Sequence, residues 1–163
     1  MILTIAKYLW IAGSLPFIIL GFIHLYYTFF SNKFSSRTAS VDEAMKNSFP
    51  VLTKETTMWK AWIGFNGSHS SGVIYIGLIN FFAAISYPEI LFSPLFLAIN
   101  IITVLFYCWL GKKYWFGTPF KGVLIATACF MGSAIIFIFS SSLLVFFSSS
   151  CLLLQYLPKY RMI

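Results

Sequence analysis

Charge is scarce in this chain: of 163 residues only 9% are Asp, Glu, Lys or Arg, and only four are acidic. With 60% hydrophobic residues and a mean hydropathy of +0.87, a water-soluble domain is excluded. Disorder is excluded for most of the length as well, because it needs low hydrophobicity and high net charge. Asp42, Glu43, Glu55 and Glu89 all fall in polar segments, so acid–base work by paired carboxylates inside a membrane has no residues to perform it. Cysteine is equally sparse. Cys108, Cys129 and Cys151 show no C-x-x-C spacing, and neither a disulfide framework nor a metal site is expected.

What remains is an integral membrane protein. Uncharged stretches run over Tyr8–Phe30, Ala61–Pro88, Ile90–Gly111 and Val123–Pro158, and each reaches the roughly 20 apolar residues a helix needs to cross a bilayer. The expected fold is all-α: a single domain over 1–163, a polytopic transmembrane four-helix bundle with spans at about 5–30, 60–86, 90–110 and 119–147 and a tail over 148–163. The first apolar run exceeds a signal-peptide core and no small-x-small cleavage pattern follows it, so it is expected to be a permanent helix. Pro16 lies inside it and is expected to kink it. Tyr87-Pro88-Glu89 reads as the tight turn between the second and third spans.

The only long polar stretch, Ser31–Thr57, separates the first two spans. Ser40-Val41-Asp42-Glu43 fits a capping box, and Val41, Ala44, Met45 and Phe49 then share a face suited to a short interfacial helix. A solvated loop with one helical turn fits the same residues. With four spans, Lys33, Arg37, Lys46, Lys54, Lys60, Lys112, Lys113 and Lys121 share one side, and Lys7, Lys159 and Arg161 the other. Positive residues favour the cytoplasm, which places the polar loop and the loop between the third and fourth spans on the cytoplasmic side of the cell membrane and both termini outside. The net charge of +7 is then explained by topology and by attraction to anionic membrane lipids, without nucleic acid. Trp59, Trp62, Trp109, Tyr114 and Trp115 form an aromatic belt on the same side.

The last apolar stretch is too long for one crossing. Ser140-Ser141-Ser142 and Ser148-Ser149-Ser150 offer stopping points, and the expectation is a fourth helix ending near Phe147 with an interfacial tail. The alternative is a fifth short span, which would need a hairpin without glycine or proline.

Polar residues within spans are costly unless they find a partner or a cavity. They are densest in Trp62–Gly72, where Gly64, Ser68 and Gly72 recur every four residues and are expected to form a helix-packing stripe. Asn100, Thr103, Thr127, Cys129 and Ser133 are expected to satisfy hydrogen bonds between helices. The two histidines of the chain, His24 and His69, each lie four residues from the centre of their span, about 6 Å at helical rise. Both are displaced toward the polar loop, so an antiparallel hairpin brings them level. Thr28 shares a stripe with His24, Asn66 and Ser70 lie beside His69, and Tyr107 approaches from the basic side. Such a layer can hydrogen-bond neighbouring helices, hold a small apolar ligand such as a quinone, relay protons, or ligate a haem b iron axially.

This layout, a polar segment after the first helix, a histidine late in that helix and a tryptophan-led glycine and serine run over Trp59–Gly72, resembles the DoxX-like membrane proteins over residues 5 to about 147. The resemblance implies a small four-helix bundle. It also implies a choice between a non-catalytic membrane subunit, working with other membrane subunits or as a homo-oligomer, and a quinone- or haem-linked oxidoreductase subunit.

Overall fold

The computed structural model describes the backbone of residues 1–156 and side chains through Ser140 and at Ser142; Cys151, Lys159 and Arg161 lie outside the described side chains. Five α-helices are present and, among the described residues, no strand: α1 Ile2–Phe30, α2 Ala39–Asn47, α3 Met58–Ser86, α4 Pro94–Tyr114 and α5 Gly117–Tyr156. Four of them are long and apolar enough to cross a membrane. Pro16 is contained within α1. The turn after α3 is a 3-10 helix over Pro88–Phe92, and α4 starts at Pro94, four residues later than expected, because the Ser93 hydroxyl accepts from the Phe96 amide and proline suits the first helical position.

α1 is the hub. It packs most closely on α3 and α5, while α4 packs on α5. A Cβ at Gly77 would stand 2.9 Å from the Ile18 amide nitrogen, and one at Gly21 would stand 3.1 Å from that of Ile74. Glycine at both positions lets the two backbones approach closely. Gly13 does the same against α5, 3.2 Å from the Ala126 carbonyl oxygen. The core beneath these contacts is aromatic. Trp10 meets Phe130 edge to face at 4.7 Å and lies 5.8 Å from Phe96 of α4, and Phe17 meets Tyr107 of α4 at 5.6 Å.

Three expectations are corrected. Gly64, Ser68 and Gly72 face outward, exposed, and nothing lies within 4 Å of a Cβ added at either glycine. The packing face of α3 is instead the one carrying Gly67, Ser70, Val73, Ile74 and Gly77, all buried. The capping box does not form: α2 begins two residues earlier, with Thr38 and not Ser40 at the N-cap, Asp42 accepts from the Ser36 amide at 2.9 Å, and Glu43 pairs with Lys46 at 3.0 Å. α2 buries no residue, and Val41, Ala44 and Phe49 are exposed. Finally, α5 passes both serine triplets without a break and runs for 40 residues, about 60 Å. It neither ends near Phe147 nor turns back there into a fifth span. A serine within a helix can return its hydroxyl to the carbonyl four residues earlier, as Ser142 does to Ile138 at 3.0 Å, so these serines are compatible with helix.

Buried polar side chains bind the bundle together. Trp10 Nε1 donates to Asn80 Oδ1 at 2.9 Å across α1 and α3, and the Ser133 hydroxyl donates to the Ala6 carbonyl at 2.7 Å across α5 and α1. Thr127 donates to the Val123 carbonyl of its own helix at 2.8 Å and reaches the Val104 carbonyl of α4 at 3.4 Å. Asn100 and Thr103, by contrast, return their donors to their own helix at Phe96 and Ile99. Among the described residues no buried side-chain nitrogen or oxygen is left without a partner, as a lipid-embedded bundle requires.

Candidate functional site

α1 and α3 run antiparallel, and close packing at Gly21 brings the two histidines to one level just above it. Their ring centroids are 5.5 Å apart, edge to face at 69°. Both rings are half-buried. His24 Nε2 lies 3.0 Å from Asn66 Oδ1, and the Asn66 amide nitrogen donates to the Trp62 carbonyl one turn earlier at 2.9 Å. His69 has no hydrogen-bond partner among the described residues. It is surrounded by rings instead: Phe65 lies parallel at 6.1 Å, Tyr107 of α4 is stacked at 6.1 Å, and Trp115 meets it edge to face at 5.8 Å.

The polar loop closes the layer from above. Phe34 lies 4.6 Å from His24, and its carbonyl accepts from Trp62 Nε1 at 3.3 Å. Thus Trp62 belongs both to the interfacial belt and to the roof of the site.

Each residue expected at the site can now be placed. His24, Asn66, His69 and Tyr107 come together. Thr28 and Ser70 are buried beside them, but their hydroxyl protons go to their own helices, Thr28 to the His24 carbonyl at 2.8 Å and Ser70 to the Asn66 carbonyl at 2.6 Å. They shape the layer without offering it a donor. Phe34, Phe65 and Trp115 are residues that the sequence did not assign to the site, Trp115 having been expected only in the aromatic belt. The only signal for Phe34 was an aromatic residue close to the end of the first span, in a loop that also holds Phe49. Asn80, the partner of Trp10, was missed too, although it is the one amide in the second half of α3.

A haem does not fit this pair as it stands. Axial ligation from both sides of an iron needs opposed imidazoles with a macrocycle-wide slot between their helices. Here α1 and α3 are in backbone contact at Gly21, the imidazoles touch edge to face, and Phe34 and Phe65 occupy the flanks. No cluster of three or more metal-ligating side chains exists among the described residues. What the arrangement offers is a small polar patch, two imidazoles and a phenol, within aromatic walls.

Comparison with known proteins returned no matching family model, and neither a curated protein nor a solved structure matches the chain.

Proposed function

We propose that this is a multi-pass protein of the cell membrane that holds a small apolar molecule by its polar head in the layer around His24 and His69, as a non-catalytic subunit or binding bundle. One observation carries the reading. The nitrogens of His69 and the Tyr107 hydroxyl have no partner among the described residues, yet they are not among sealed, unsatisfied atoms, so they border accessible space. Hydrogen-bonding groups at membrane depth that are open and unspent suit a ligand's polar group. Orientation in this proposal follows the eight-to-three division of basic residues, with both termini outside.

A quinone-linked subunit is the second reading, favoured by the flat rings of Phe65, Tyr107 and Trp115 around His69, which suit a planar head. The relationship to DoxX-like proteins is part of the same proposal and rests on the four-helix layout and the Trp59–Gly72 run.

Solvent extraction of the detergent-purified protein followed by mass spectrometry tests the proposal. A lipophilic species enriched with the wild type and lost from His69→Leu is the expected result. Equal content in the two samples would sink it, and a Soret band in the visible spectrum would return haem to consideration.

A further inference from the structure

The hydrogen-bond pattern around His24 fixes more than its position. Asn66 Nδ2 donates to the Trp62 carbonyl, and turning the amide over would set Oδ1 against that carbonyl, acceptor against acceptor. The orientation is therefore determined, and Asn66 Oδ1, which can only accept, faces His24 Nε2 at 3.0 Å. Nε2 must carry a proton. In a neutral imidazole the other nitrogen, Nδ1, is then a bare acceptor. No described residue donates to Nδ1, and since no sealed unsatisfied nitrogen or oxygen exists in the described side chains, Nδ1 opens onto accessible space. No described carboxylate pairs with either histidine.

We infer that His24 is locked as the Nε2–H tautomer and that its Nδ1 selects a ligand whose head donates a hydrogen bond: a lipophilic alcohol or phenol, and not a ketone, ester or ether lacking a hydroxyl. The inference rests on the ligand-binding reading above. His69 and the Tyr107 hydroxyl can each donate or accept, and they adapt to whatever else the head carries. Of the three groups with an open nitrogen or oxygen, His24, His69 and Tyr107, His24 alone has its polarity fixed by a neighbour, and so it sets the selectivity. Phe34 against its ring and Phe65 against that of His69 supply the apolar surround in which a single hydrogen bond discriminates well.

The test uses the full chain in detergent, labelled with nitrogen-15 at histidine, and two matched probes: 4-dodecylphenol and its methyl ether, 4-dodecylanisole. Without probe, His24 should show a protonated Nε2 and a bare Nδ1. The phenol should move the Nδ1 resonance and the ether should not, and the phenol should bind about fivefold to tenfold more tightly, the range of one ordinary hydrogen bond. In Asn66→Leu the ring is free to exchange tautomers, and the preference should fall below about twofold. A proton on Nδ1 in the unliganded protein, or equal affinity for the two probes, overturns this inference and leaves ligand binding intact. Binding of neither probe overturns the ligand-binding reading and the selectivity with it.

Discussion

Glycine substitutions discriminate between the two faces of α3 at single-residue resolution. Gly77→Leu and Gly21→Leu drive side chains into the backbone of the facing helix, and each should destabilise the bundle by about 1–3 kcal/mol or more. Gly64→Leu and Gly72→Leu project into open space and should leave thermal unfolding in detergent nearly unchanged. The reverse order of melting temperatures would show that the outward stripe is the true contact. Sequence alone placed His24 and His69 in one layer because depth and chain direction suffice for that. It misassigned the packing stripe because lipid and protein interior are equally apolar, so hydrophobic periodicity does not reveal which face of a span turns inward. α3 carries small residues on both faces, and what decides between them is that Phe29 and Ile18 of α1 lie against Gly67 and Gly77.

At the level of helices, hydrogen bonds between spans carry the specificity that apolar packing lacks. The Trp10–Asn80 bond joins α1 to α3 far from the histidines, at the opposite end of the hairpin. A double-mutant cycle with Trp10→Phe and Asn80→Leu should give a coupling of about 0.6–1.7 kcal/mol, the range found for such bonds in membranes. Additive effects of the two substitutions would show that the bond contributes nothing beyond packing. The number and order of the spans were legible from charge spacing. Their ends were less so: the start of α4 depended on a serine cap, and α5 runs on through its serines, of which Ser142 returns its hydroxyl to the helix, and hydropathy registers neither.

For the whole molecule, the basic side and the histidine layer belong to the same end of the bundle, so in the proposed orientation the ligand head would sit near the cytoplasmic leaflet. Cysteines introduced at Ser48 and Ser86, both exposed and at opposite ends, test this in a background without native cysteines. An impermeant thiol reagent on intact cells should label the Ser86 variant alone, and labelling of the Ser48 variant alone would invert the orientation.

The seams of the bundle are unequal in kind. α1 with α3, α1 with α5, and α4 with α5 are each tied by at least one hydrogen bond between helices, whereas α3 and α4 meet through the rings of His69 and Tyr107 with none among the described residues. Ring contacts have close equivalents in acyl chains, so parting that seam exchanges one apolar neighbour for another. A ligand of the kind proposed, already dissolved in the bilayer, would therefore meet at His69 a seam that can part without breaking a hydrogen bond between the two helices.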